Sequence, residues 1–178
     1  MNEIRKFHKG TFLGTFENVI GTMIAADPCY DHETVANENA GVRHVKTGVW
    51  HAFANKTDEG EWGVRVASLL VIHEDYLDYS IFDLKISKKK YGIPVDSGQA
   101  GFFDAYHHLD NDVITWTPQH NYRDPWYNAC CDATLGDEQA GVIPYGAVAS
   151  SGYGDGYYPA YIWRDGNKAV AMEIVFIE

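Results

Sequence analysis

Short apolar runs broken by glycine, aspartate and asparagine recur along this chain, and their internal spacing favours period two over period 3.6. The clearest run covers residues 62–73. Trp62, Val64, Val66, Leu70 and Ile72 fall on one face by alternation, and the second half is apolar on both faces. That pattern predicts a central strand covered from both sides. Residues 19–26, 48–54, 146–150 and 157–163 also read as strands. Residues 169–177 alternate as a closing core strand. The preceding Arg164-Asp165-Gly166-Asn167-Lys168 carries Asp-Gly turn chemistry, so residues 157–177 are expected to form a β-hairpin. One helix is predicted over 126–135, with Asp124 as N-cap and Pro125 at the first helical position. A helical pattern over 35–45 is too broken by glycine and asparagine to assign. The expected fold is mainly β, a β-sandwich-like arrangement of mostly antiparallel sheets with one or two short helices.

Composition changes this picture little. The 178 residues suit one domain spanning 1–178, and 46% hydrophobic with 22% charged residues is a globular balance. The net charge of −11 carries more information. It argues against nucleic acid or an anionic membrane surface as a partner and leaves a small molecule or a basic protein. No apolar run approaches the ~20 residues that span a bilayer, and the N-terminus has no apolar signal-like segment, so a cytoplasmic location is expected. The size also allows a homo-oligomer. Lys88-Lys89-Lys90 reads as a solvated strand end.

Several motifs do not survive inspection. Asp110-Asn111-Asp112 opens like a calcium loop, but Trp116 and Asn121 stand near where that loop needs glycine and then glutamate. There is no C-x-x-C and no HExxH spacing. The glycines at 152, 154 and 156 lead into a strand and therefore lack the helix N-terminus that a phosphate site uses.

Three segments combine aspartate with backbone-permissive residues beside predicted strand ends. They are Asp27-Pro28, the stretch from Asp96 through Ser97, Gln99 and Asp104, and the glycine-rich stretch holding Tyr153, Asp155 and Tyr157. Each reads either as a capped turn or as part of a site. As a site, Asp27, Asp96, Asp104 and Asp155 would meet at one end of the sheet, with Ser97, Gln99, Tyr153 and Tyr157 completing a ligand pocket. Asp96, Asp104 and Asp155 would then be able to hold a divalent cation, and an arginine such as Arg65 would offset the charge.

These segments, in this order, resemble domain-of-unknown-function family 4241, an uncharacterised bacterial and phage family. The resemblance runs from about residue 20 to the end and rests mainly on Ser151-Gly152-Tyr153-Gly154-Asp155-Gly156-Tyr157-Tyr158-Pro159. It implies that the aspartates and glycines belong together, and it implies no activity. The stretch 116–135 looks like an insertion and receives no role from the resemblance.

Cys29 beside Asp27 is a candidate nucleophile without a sequence-linked base. Of Cys130 and Cys131, neighbours on the expected helix, one should be buried and one exposed. His107 follows Asp104 closely enough to act as a base or ligand. Three functional readings follow. The first is a binding protein with an Asp/Gly/Tyr-lined pocket for a small ligand, nucleotide-like compounds included, or a metal ion. The second is a hydrolase using a metal or a carboxylate acid/base pair. The third is an acidic immunity or phage anti-defence protein acting on a protein partner.

Overall fold

The computed structural model describes residues 6–87 and 92–178; the lysine run at 88–90 lies outside them. Twelve strands follow in chain order: β1 (Thr11–Asn18), β2 (Thr22–Ala26), β3 (Gly41–Arg43), β4 (Gly48–Asp58), β5 (Val64–His73), β6 (Lys85–Ser87), β7 (Gly92–Val95), β8 (Gln99–Asp104), β9 (Ala140–Ile143), β10 (Gly146–Ser150), β11 (Gly156–Asp165) and β12 (Lys168–Val175). Helix α1 (His32–Asn37) lies between β2 and β3, and α2 (Pro125–Thr134) between β8 and β9. The larger sheet runs β1-β4-β5-β12-β11-β6, with β7 also pairing to β11, and the smaller runs β3-β2-β8-β10-β9. All of these strand pairs are antiparallel.

The two sheets bury one shared core between them. Trp50, Leu69, Val71, Met172 and Ile174 from the larger sheet meet Met23, Phe102, Ala147 and Ala149 from the smaller. Full burial of a large apolar side chain contributes about 1.5–3 kcal/mol. With so many of them in this layer, the inter-sheet core fixes the fold and the short helices are secondary to it. Both outer faces are covered as well. Phe7, Tyr76 and Leu84 pack over Leu70, Ile72 and Trp163 on the larger sheet. Helix α2 and Ile114 pack over Phe103 and Val148 on the smaller.

Strand β5 departs from the simple alternation that its sequence suggests. Asn55 faces Ser68 but Lys56 faces Val66, so Ala67 is an extra residue in a bulge. Its carbonyl accepts the amides of Phe176 and Ile177 at 2.7 and 3.0 Å. The bulge flips the side-chain phase. Val66 therefore points inward with Leu69 and Val71, while Leu70 and Ile72 point to the outer layer. Trp62 precedes the strand in a 3₁₀ turn, and both it and Val64 are exposed. Elsewhere, residues 19–21 form the link between β1 and β2 rather than part of a strand, and β1 itself carries no clear period-two signal. The hairpin of β11 and β12 turns as expected, with Gly166 at φ +59°. In the region 35–45, α1 ends at Asn37 and β3 begins at Gly41.

Helix α2 begins as its sequence predicts, with Asp124 accepting the Tyr127 amide at 3.0 Å and Pro125 following. Trp126, Ala129, Cys130 and Ala133 form the helical stripe laid on the smaller sheet. Within that sheet Gly101 has no room for a side chain. A Cβ there would stand 2.3 Å from the Ala147 carbonyl oxygen and 2.6 Å from the Phe103 ring.

His108 is enclosed in this outer layer. Its ring meets Phe103, Trp126 and His32, and its Nε2 has no hydrogen-bond partner. Burial, with the nearby His32 ring adding to it, pushes its pKa down to about 4.

Two outcomes follow from the core. Val66→Asp should lower stability in chemical denaturation by roughly 4 kcal/mol, because an unpaired charge would replace a fully buried methyl pair. Amides of residues 66–72 should be among the slowest to exchange. The His108 pKa is depressed, so the unfolded chain takes up this proton before the folded protein does. The stability it supports is complete above about pH 6.5 and is lost as pH falls toward 4. At ~1.4 kcal/mol per pH unit the loss is about 3 kcal/mol. A His108→Phe variant should show a flatter pH–stability curve over that interval.

Candidate functional site

The turn at 96–98, joining β7 to β8, is the centre of the candidate site, and a buried carboxylate holds it. Asp27 follows the last residue of β2 and is fully buried. Its Oδ2 accepts the amides of Asp96 (2.8 Å) and Ser97 (2.7 Å). Its Oδ1 accepts the Ser97 hydroxyl (2.6 Å) and the Cys29 amide (2.8 Å). Gly98 completes the turn at φ +69°, and its amide donates to Asp155 Oδ1 at 3.0 Å. The Gly98 carbonyl accepts the Ser151 amide at 3.0 Å. The structure thus brings Asp27, Asp96, Ser97 and Asp155 to one place.

Asp104 is elsewhere. Strand β8 separates it from the turn; five residue steps at ~3.3 Å put its two ends roughly 17 Å apart. Its carboxylate accepts the Asn18 side-chain amide at 2.9 Å and the backbone amides of Val19, Ile20, Tyr106 and His107. The expected cation set of Asp96, Asp104 and Asp155 is therefore divided between opposite ends of a strand. Among the described residues no group of three or more His, Cys, Asp or Glu is placed to hold a metal ion. Tyr153 also points away, hydrogen-bonding Glu59 and packing edge-on against Trp62. Arg65 donates to the Trp62 carbonyl and does not offset the aspartates. His107 pairs with Asp110 at 3.1 Å and stacks on Tyr145.

Two clefts open on either side of the turn. The first, an open groove of about 500 Å³, is lined by Tyr30, Glu38, Asp96, Asp155 and Tyr157 among others. The Tyr30 hydroxyl donates to Asp96 at 2.6 Å, and burial together with that bond raises its pKa. These carboxylates are exposed and solvated.

The second cleft, of about 310 Å³, is different in kind. Ser97, Gly98, Gln99 and Ser150 form one side, and Tyr122, Tyr127, Cys131, Thr134 and Leu135 the other. Its polar floor is buried: Gln99 is 5% exposed and Thr134 3%. Thr134 donates to Gln99 Oε1 at 2.9 Å, which directs the Gln99 Nε2 group the other way. There its acceptors are the Ser97 hydroxyl at 3.5 Å and the weakly accepting Cys131 sulfur at 3.7 Å. The first is long for an N–H···O bond, and the second is an ordinary length for sulfur but a weak bond, so the Nε2 group is held by weak partners. A third cavity, bounded by β2, β7 and β11, measures about 20 Å³ and has room for a single water at most.

Half of the second cleft comes from the stretch that the sequence reading left without a role. Tyr127, Cys131, Thr134 and Leu135 are spaced i, i+4, i+7 and i+8, a second stripe beside the one that covers the sheet. The loop carrying Tyr122 is fastened to the same helix. Asn128 Oδ1 accepts the amides of Tyr122 and Arg123, each at 2.9 Å. Asp132 accepts the amides of Gln119 and His120 and the His120 ring at 2.6 Å. Burial alone would raise the Asp132 carboxyl, but those amides and the ring outweigh it and hold it below its usual value. His120 in turn stacks on Tyr122.

The thiols near the turn are poor nucleophiles. Burial and then Asp27 push Cys29 up to about 12, and burial raises Cys131. Both Cys130 and Cys131 are buried, against the expectation that one would be exposed, because the sheet covers one face of α2 and the 96–99 segment the other.

The family model for a protein of unknown function, DUF4241, matches residues 17–175. The chain belongs to this family. No curated protein and no solved structure matches it. The match takes in every strand from β2 to β12 and both clefts.

The division between organising and exposed aspartates is measurable. Asp27→Asn and Asp104→Asn should each lower stability by ~3 kcal/mol, since each leaves several buried donors without a charged acceptor. Asp96→Asn and Asp155→Asn should stay within about 1 kcal/mol of wild type in the same denaturation experiment.

Proposed function

We propose that this DUF4241 protein binds a small molecule in the cleft between the 96–99 segment and α2. The observation that carries this reading is Gln99, a side-chain amide buried at the cleft floor with one end fixed by Thr134 and its N–H groups facing only long contacts. A buried amide held only by weak acceptors gains less than one with a full-strength partner. A ring nitrogen or carbonyl oxygen delivered by a ligand would be a stronger acceptor than either. The volume of about 310 Å³ sits at the low end of small-molecule sites, and mixed aromatic and polar walls are their usual composition.

A hydrolytic reading has less support. The Ser97 hydroxyl donates to a carboxylate that already accepts three backbone amides, and not to an imidazole. The thiols are held in their protonated form. The acidic groove on the other side of the turn remains open and solvated.

The test is a fragment screen followed by protein-observed NMR. Hits should perturb the amides of residues 97–99 and 131–135. Gln99→Leu keeps the shape but removes the donor, so it should weaken those hits about tenfold with a nearly unchanged melting temperature. Hits confined to other surfaces, or hits indifferent to Gln99→Leu, would overturn the assignment.

A further inference from the structure

Resting on that reading, we infer that the ligand is an uncharged, flat heteroaromatic compound of the nucleobase or nucleoside type, and that the same cleft discriminates against the corresponding phosphate monoesters. Three features of the cleft lead there.

The first is hydrogen-bond polarity. Thr134 occupies the oxygen end of the Gln99 amide, so the floor offers a neutral donor. The matching ligand atom is a ring nitrogen or ring carbonyl oxygen, the acceptors that nucleobases carry on their edges.

The second is shape. Tyr122 and Tyr127 bring two aromatic rings to the lining, and Leu135 adds an apolar edge. Aromatic side chains bind bases by stacking irrespective of sequence. The Tyr122 ring is backed by His120, and the Tyr127 ring by the Arg123 guanidinium 4.7 Å from its centre, so both are held in place before a ligand arrives. A volume of about 310 Å³ suits a base or nucleoside and is small for a dinucleotide.

The third is charge. Asp27, Asp96 and Asp155 surround the 96–98 turn, and Asp132 stands next to Cys131 on α2. Against these four carboxylates is the Arg123 guanidinium, already donating to the Cys29 carbonyl at 3.1 Å. A phosphate brought to this mouth would meet Asp132 one residue from the lining Cys131, Asp27 beneath the turn and the field of a chain of net charge −11, screened over ~8 Å at physiological salt. A neutral ring escapes that repulsion.

The experiment titrates the full chain with adenine, uracil, adenosine, uridine, AMP and UMP, with N-methylacetamide as a non-aromatic acceptor, following the Gln99 side-chain amide and the tyrosine rings by NMR. The expected result is saturable binding of a base or nucleoside, at least tenfold weaker binding of its monophosphate at 0.15 M salt, and a narrower gap at higher salt. Gln99→Glu and Gln99→Leu should each weaken the aromatic ligand at least tenfold. Tyr122→Ala, at an exposed position, should weaken it while leaving N-methylacetamide unaffected. Monophosphate binding as tight as that of the nucleoside would overturn the proposal. So would Gln99-dependent binding of N-methylacetamide without binding of any base or nucleoside, an outcome that leaves the cleft assignment intact. If neither these probes nor the fragment set perturbs residues 97–99, the cleft assignment falls together with the ligand class.

Discussion

The candidate site depends on one buried carboxylate. Asp27 is fully out of water, and leaving a carboxylate there without partners would be prohibitive. Four short hydrogen bonds from Cys29, Asp96 and Ser97 compensate it, and three of the four come from the 96–97 backbone and the Ser97 hydroxyl. That arrangement ties the end of β2 to the turn between β7 and β8. Both clefts use this turn as a wall, so the geometry on either side follows from the same interaction. Asp155 extends the principle by accepting the Gly98 amide. At the far end of β8, Asp104 does the same work on residues 18–20 and 106–107. Carboxylates in this fold organise backbone, which is why they occur where glycine and proline bend the chain.

Much of the architecture was legible in the sequence because its signals are local. Asp124-Pro125 marks the start of α2, Asp165-Gly166 the hairpin, and the apolar second half of β5 the doubly covered strand. What escaped was non-local. The bulge at Ala67 depends on register against β4, which alternation alone cannot reveal. Strand β1 is an edge with an exposed face, so its residues lack the apolar period of a buried strand. The link at 19–21 is apolar, with Val19 and Ile20 exposed, and so it imitates strand sequence.

The aspartate segments were correctly read as constrained, but constraint is not evidence of ligand contact. Asp96 and Asp104 flank a segment of apparently loose composition. In the folded chain that segment is a fully buried strand, and a strand carries its two ends to opposite sides of the sheet. Gln99 and Ser97 were identified from the same segment. Their significance, however, comes from α2, which the sequence places about thirty residues away. The signal that would have found the cleft is the second stripe on α2. Tyr127, Cys131, Thr134 and Leu135 recur at helical spacing just as Trp126, Ala129, Cys130 and Ala133 do, and a lone helix lying on a sheet needs only one such stripe.

A ten-residue helix with three committed sides ties the smaller sheet, the cleft and the 119–123 loop together. Cys130 faces the sheet and Cys131 the cleft, and a third set, Asn128 and Asp132, binds the loop that carries Tyr122. No side of α2 is left to solvent alone, so its position cannot relax independently of the smaller sheet or of the 96–99 segment. The cleft walls are therefore fixed by the packing of the fold itself. The same packing holds Gln99 on weak acceptors at the cleft floor, because rotating the side chain toward another partner would break its bond with Thr134.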